Sequence, residues 1–348
     1  MQALTRGIYL GAAILLTACE EEPETLLISG ETMGTTYNIT VIDKTNALDL
    51  TDVQIAVEAT LATVNGQMSN WDPNSEISQF NTAQTTDPVE ISPELSKVMN
   101  VANDVHTQSD GQFDVTLGPL IELWGFGARN SESPVPPDAA ISAALDIVGQ
   151  SKVLSLATNP DTMSKARPDT SVYLAAIAKG YGVDEVAATL GEMGITDYMV
   201  EIGGDLFAAG ENASGFPWRI GIERPEGGGR TLEQTIRISE LGMATSGDYR
   251  NYFEENGVRY SHIIDANTGR PITHMTASVT VLAEDAMLAD AWATALLALG
   301  QDRGMEIAKN LDLAALFIVR DARSDETQFT TTASPRFVEI SEQAQETE

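Results

Sequence analysis

Between residues 51 and 68 the apolar side chains of Val53, Val57, Leu61 and Val64 recur close to the helical period, and Thr51 and Asp52 offer cap chemistry at the start. A helix is predicted there. Residues 93–105 repeat the pattern, with Leu95, Val98, Met99, Ala102 and Val105 on one side and Ser92 as the cap, and a weaker third helix runs over 138–148 to Gly149. Short β-branched or apolar runs bounded by turn residues, at 152–157, 198–202, 218–222, 277–282 and 313–319, predict strands. Among them, 174–190 and 285–299 read as helices, each closed by a glycine, Gly191 and Gly300. Helices cluster early while strands and helices mix later, without the strict alternation of a doubly wound sheet. The expected class is therefore α+β. Gly203-Gly204 and the flexible Gly227-Gly228-Gly229 mark turns.

The two ends differ from this body. Arg6 followed by an apolar run from Ile8 to Leu16, too short to span a bilayer, reads as an export signal over residues 1–18. That run ends in Leu16-Thr17-Ala18-Cys19, which resembles the lipobox of bacterial lipoproteins, whose cysteine carries the lipid. Cys19 is the only cysteine, so disulfide, zinc-thiolate and iron–sulfur chemistry within one chain are excluded. Residues 19–25 are expected to be a charged tether, 26–341 the folded domain and 342–348 a polar tail.

Charge narrows the partners. Twenty basic against 51 acidic residues give a net charge of −31, which repels phosphate backbones and anionic lipid head groups alike. Nucleic acid is excluded as a natural partner, and membrane attachment falls to the acyl chains on Cys19.

Three groups of residues carry candidate chemistry. Asp290 and Thr294 lie four apart on a predicted helix, hence on one face, and their hard oxygen donors suit Mg²⁺ held beside phosphate. The same spacing also fits an aspartate satisfied by an arginine or a backbone cap. His262 and Asp265 stand three residues apart ahead of a turn, a base with a carboxylate nearby or, equally, a buried structural histidine. Lys179 sits among small residues in Ile177-Ala178-Lys179-Gly180-Tyr181-Gly182, placed to meet a phosphate or simply to be solvated. The loops around Trp71 and around Trp124-Gly125-Phe126 offer flat surfaces for a planar ring or for core packing. No glycine pattern of a known nucleotide loop is present.

Taken in order, these segments resemble the ApbE-type FAD:protein FMN transferases over about residues 30–321. The blocks are Met33-Gly34-Thr35-Thr36-Tyr37, the stretch from Met68 through Trp71 to Asn81, and Gly111-Gln112-Phe113-Asp114 with its continuation to Leu120. They continue through residues 123–127, 177–181, Glu201-Ile202-Gly203-Gly204-Asp205, Ala244 to Tyr249, 261–265, and Ala289-Asp290-Ala291-Trp292-Ala293-Thr294. The resemblance implies an α+β, ApbE-like fold with mixed or antiparallel sheets packed with helices and a flavin cleft between two lobes. It implies contacts to FAD from Met33, Trp71, Gln112, Phe113, Asp114, Tyr173, Lys179 and Ile264, and Mg²⁺ held by Asp290, Thr294 and the carbonyl at Ala176. One position departs: the family's aspartate before the leucine, associated with FAD binding, is Tyr173 here.

The implied activity is Mg²⁺-dependent transfer of FMN from FAD to a threonine of a target protein, with AMP released, His262 as base and Asp265 poising it. Hydrolysis of FAD to FMN and AMP, or flavin binding without catalysis, uses the same residues. The implied acceptors are membrane redox subunits such as those of the Na⁺-translocating NADH:quinone reductase. The expected location is the periplasmic side of a bacterial membrane, the inner one favoured.

Overall fold

A computed structural model describes residues 23–127, 135–226, 231–321 and 328–343. The expected export signal, Cys19, the start of the tether, the Gly227–Gly229 turn and the end of the tail lie outside these residues.

Eight strands form the central sheet: β1 (Glu24–Thr32), β2 (Thr35–Asp43), β3 (Tyr198–Ile202), β4 (Asp205–Ala209), β5 (Leu241–Gly247), β6 (Thr276–Ala283), β7 (Ala314–Asp321) and β8 (Gln328–Ala333). Their spatial order is their chain order, and every pairing is antiparallel. The sheet is thus a meander whose connections have grown into the rest of the molecule. β1 opens at Glu24, inside the expected tether, because Leu26 and Ile28 alternate inward onto the core. It turns into β2 through Met33 and Gly34, both at positive φ (51° and 73°), as a two-residue hairpin of this hand requires.

Four long helices cover one face. They are α1 (Leu50–Met68), capped by Asp49; α2 (Pro93–Gln108), capped by Ser92; α3 (Ala178–Glu192); and α4 (Ala286–Asn310), capped by Asp285. α1 and α3 bury their apolar sides on β1–β3, while α2 and α4 share a core with Val279, Val281, Ala315 and Phe317. The opposite face is covered by the hairpin Trp218–Glu223/Leu232–Ile238 and the helix Pro335–Gln343 through Phe337. β6 is therefore covered on both sides, and its hydroxyl residues Thr276, Ser278 and Thr280 are buried along with its apolar ones.

Several predicted boundaries move. The strand expected from 152 starts at Leu154, after a short helix over Gln150–Val153. The helix expected over 138–148 ends at Leu145, and the one expected to close at Gly191 runs through it to Glu192. The helix expected from Leu174 begins at Ala178, because the preceding backbone is held extended: Tyr173 N donates to Val115 O and Leu174 N to Asn70 Oδ1. α4 does break at Gly300 (φ 75°), as its glycine suggested, but a second helical stretch follows to Asn310. The polar tail begins later than residue 342, since the last helix runs to Gln343.

Candidate functional site

A cleft of about 820 Å³ opens where β2–β5 end, between the sheet and the segments inserted after β2 and β5. A second, smaller hollow of about 170 Å³ adjoins it, and Tyr173, Ala175 and Lys179 line both.

At the floor of the cleft two helices touch. Gly180 of α3 approaches the start of α4 so closely that a side chain there would meet the Ala286 carbonyl, and its N–H, a first-turn donor the helix cannot satisfy itself, donates to Asp290 Oδ2 at 3.2 Å. Asp184, one turn further along α3, accepts from the backbone N–H of Ala286 and Met287 at 2.8 and 2.9 Å and so fixes the start of α4 from outside. These contacts set the position of the helix that carries Asp290 and Thr294. Thr294 Oγ1 lies 3.0 Å from Ser246 Oγ of β5.

The floor is a charge cluster. Lys179 Nζ pairs with Asp205 and lies 4.0 Å from Asp290 Oδ1, and both carboxylates are almost wholly buried. Burial disfavours the Lys179 ammonium, but the two aspartates outweigh it and hold it protonated, above the ordinary lysine value. For Asp290, burial and then the neighbouring Asp205 raise the carboxyl to about 7. A buried carboxyl poised this way is primed to exchange its proton for a cation.

The donor set fits a magnesium-like ion. Among the described residues no group of three or more His, Cys, Asp or Glu side chains is placed to hold a metal, so an all-protein cage is absent. One carboxylate and a hydroxyl, with the carbonyl of cleft-lining Ala176 that the family resemblance adds, would instead make the sparse oxygen set that suits Mg²⁺ when substrate phosphates complete its shell.

His262 lines the same cleft. Its Nδ1 is 3.0 Å from the Asn251 carbonyl, which only accepts, so the neutral ring carries its proton on Nδ1 and leaves the Nε2 lone pair free. Burial lowers its pKa below the ordinary histidine value, against Asn251 and Asp248, which raise it. The ring is therefore neutral at pH 7. Phe126 packs edge-on against it at 6.3 Å. The expected pairing with Asp265 does not occur: Asp265 Oδ1 accepts the N–H groups of Asn267 and Thr268 and closes the turn, and Asp265 is not among the cleft residues. Three residues along this backbone carry the two side chains apart, and a backbone carbonyl takes the role assigned to the acid.

The remaining expected residues divide between the two hollows. Gln112, Phe113, Asp114, Tyr173 and Ile264 line the larger one, whereas Met33 and Trp71 line the smaller, with Tyr173 on the boundary. Trp71 is 63 % exposed and meets Tyr173 edge-to-face at 6.3 Å, an aromatic surface open to a ring system. Both carboxylate oxygens of Asp114 are used by the protein, on Thr116 and on Gln150 N, so this residue shapes the wall by holding its loop. Gln112 Oε1 accepts from Asn267 Nδ2 at 3.2 Å. His106 is structural, its Nδ1 on the Phe113 carbonyl at 2.6 Å.

Asp205 and Ser246 were not singled out from sequence, although both lie in quoted blocks; the signal was a carboxylate directly after Gly203-Gly204. Asn70 and Asn81 were missed as well. Each pins Val172 or its neighbours from both sides, Asn81 with Oδ1 on Val172 N and Nδ2 on Val172 O, and together they hold the segment that presents Tyr173.

The sequence profile of the ApbE family matches residues 33–317. The chain belongs to the ApbE family. It is 43 % identical over 313 residues to the FAD:protein FMN transferase of Vibrio cholerae, covering 90 % of this chain and 93 % of that one. The enzyme of the same name from Haemophilus influenzae is 41 % identical over 348 residues, covering 98 % and 99 %. Among solved structures, flavin transferase ApbE from Vibrio cholerae superposes with a TM-score of 0.83 at 41 % identity, over 91 % of this chain and 99 % of that chain. The apo flavinyl transferase ApbE of Pseudomonas stutzeri gives 0.82 at 35 %, over 92 % and 97 %. The α+β, antiparallel architecture is thus that of the ApbE flavin transferases.

Proposed function

We propose that this ApbE-family protein transfers FMN from FAD to a threonine hydroxyl of a target protein in a Mg²⁺-dependent reaction. The observation that carries the reading is one cleft in which a free histidine nitrogen, a half-buried lysine and the Asp290–Thr294 pair converge beside an open aromatic surface. Phosphoryl transfer needs mainly positioning and charge stabilisation, and these residues offer both.

Asp290, Thr294 and the Ala176 carbonyl would hold the magnesium ion, which when bound supplies charge neutralisation for the FAD diphosphate. Lys179, kept cationic by its two aspartates, adds a fixed positive charge at the same floor. Trp71 and Tyr173 offer stacking area, and Phe113 and Ile264 close the apolar side. The acceptor Oγ1 forms the new bond to the phosphorus of the FMN half while the bond to the AMP phosphate breaks and its electron pair leaves with AMP. The hydroxyl proton passes to His262 Nε2, held in place through Nδ1 by Asn251.

The charge and the N-terminal segment support the remainder of the reading. An exported chain lipidated at Cys19 would hold an acidic body at the periplasmic side of the membrane, where redox subunits such as those of the Na⁺-translocating NADH:quinone reductase are the acceptors proposed. Incubating the protein with FAD, Mg²⁺ and an acceptor domain tests the reaction by mass spectrometry. Transfer adds one FMN to the acceptor; AMP formed without that gain means hydrolysis and refutes the transferase reading.

A further inference from the structure

The Asn251 carbonyl holds His262 through Nδ1, and one hydrogen bond fixes one atom of a ring. The ring can still rock about that atom, and Nε2 on the far side then moves most. A base that takes a proton from a hydroxyl needs Nε2 aimed, so a second contact has to fix the ring plane. Phe126 supplies one, its ring meeting the imidazole at 6.3 Å and 67°.

Phe126 is itself the end of a continuous stack. Its ring packs on Phe253 at 5.5 Å, Phe253 on Tyr260 at 5.0 Å, and Tyr260 on Trp124 at 5.6 Å. Trp124 is almost wholly buried and donates from Nε1 to the Gly269 carbonyl at 2.8 Å, which anchors the far end. Two pieces of the chain build this stack. The helix Gly118–Leu123 stops at Gly125 (φ 79°), where Gly125 N donates to Glu122 O and Phe126 N to Ile121 O, and the turn sends Trp124 into the core and Phe126 to the cleft. The hairpin Tyr252–Glu255/Val258–Ser261 supplies Phe253 and Tyr260, which lie opposite each other in its register. Its open end carries Asn251 and His262, joined by His262 N to Asn251 O at 3.1 Å. The arm that bears the base therefore rests on the cleft wall through its aromatic residues.

Resting on the transferase reading, we propose that Phe126 is a positioning residue for His262, and that the stack through Phe253 and Tyr260 to Trp124 transmits the place of the cleft wall to the base. Aromatic pairs have preferred geometries, so each ring restrains the tilt of the next. Phe126 belongs to the segment inserted after β2 and His262 to the one inserted after β5, so the stack couples two sides of the cleft. Tyr260 does not line the cleft and acts only through its neighbours.

The test follows single-turnover FMN transfer across pH by the full-length enzyme, saturated with FAD and Mg²⁺, to a purified redox-subunit domain that carries an FMN-accepting threonine. FAD affinity is read from flavin fluorescence, and thermal unfolding is recorded for each variant. Phe126→Leu and Tyr260→Leu should each lower the transfer rate about 10- to 100-fold, as a base displaced by up to about 1 Å would, with FAD affinity within about threefold of the parent. Tyr260→Phe keeps the ring and should restore the rate. Phe126 is half-buried at the wall, so Phe126→Leu carries the test where Tyr260→Leu melts below the assay temperature. Burial holds His262 below the ordinary histidine value; with Phe126 gone the ring takes up a proton more readily, and the acidic limb of the rate profile moves to higher pH. Asp248, the charged group that acts on the ring, stays bound to Arg320 and Arg259 in both variants. A stack that only stabilises the fold scales the profile down with the folded fraction and leaves the limb in place, and that result overturns the proposal. Weakened FAD binding at an unchanged rate overturns it too, since Phe126 is then a flavin contact, and so do parental rates in both leucine variants. A parent enzyme that leaves the acceptor unmodified overturns the transferase reading and this proposal with it.

Discussion

Replacing Gly180 by alanine sets two opposing effects against each other, and the structure decides the sign. In an unobstructed helix the change stabilises by about 0.5–1 kcal/mol, since alanine loses less conformational entropy. Here a Cβ would sit 2.2 Å from the Ala286 carbonyl oxygen and 2.7 Å from Met287 Cα, both backbone atoms of the facing helix. α3 and α4 have to separate by roughly 1 Å, and overpacking of this order costs about 1–3 kcal/mol. The net expectation is a loss of about 1 kcal/mol, or a melting temperature lower by about 2 °C. Function is hit harder. The Gly180 N–H bond to Asp290 opens, and a displacement of about 1 Å at the reacting groups costs about 100-fold in transfer rate. Gly191 in the same helix is the control, because nothing lies within 4 Å of its added Cβ. Gly191→Ala should match or exceed the parent in thermal unfolding and keep full transfer. If Gly180→Ala melts at or above the parent temperature with undiminished flavinylation of an acceptor, the helix contact does not position the site.

Four further outcomes follow from the same geometry. Because burial raises the Asp290 carboxyl to about 7, a proton competes with the cation: Mg²⁺ affinity by calorimetry should rise about tenfold per pH unit below 7 and level off above it. In the metal-free protein that carboxyl holds a proton the unfolded chain has lost between about pH 4 and 7, so its contribution to stability falls as pH rises through that window, and Asp290→Asn should flatten the slope in denaturant titrations while abolishing Mg²⁺-dependent turnover. His262→Gln should bind FAD like the parent yet lose about 100- to 10,000-fold in transfer, and parental turnover would remove it as the base. Asn70→Ala leaves the Leu174 N–H without its acceptor, costing about 1–3 kcal/mol in urea unfolding and weakening FAD binding through the displaced Tyr173 segment.

The partial success of sequence reasoning has specific causes. α1 and α2 were legible because each buries one side against the core and exposes the other, so burial writes the helical period into the residues; the first part of α4, buried on nearly all sides, was legible from its long alanine- and leucine-rich run and its closing glycine. β1, β2 and β5 were not, since threonine, glycine, asparagine and charged residues interrupt their apolar positions, and β2 and β5 are completed as sheet strands only by partners elsewhere in the chain. The Asp290–Thr294 pair was found because four residues along a helix is a local distance. The His262–Asp265 pairing failed because three residues along a turning backbone is not one.

By itself the amino-acid sequence determined the α+β class, the principal helices, the acidic body and the order of residue blocks shared with the ApbE family. Tertiary structure decided that those blocks meet: Lys179 from α3, Asp205 and Ser246 from the sheet and Asp290 from α4 are separated by up to 111 residues and are joined only where the antiparallel meander folds. It also decided that Asn251 rather than Asp265 orients His262. Periodicity records whether a residue faces the core, whereas the partner of a buried polar group depends on which distant backbone reaches it first, and no local pattern carries that information.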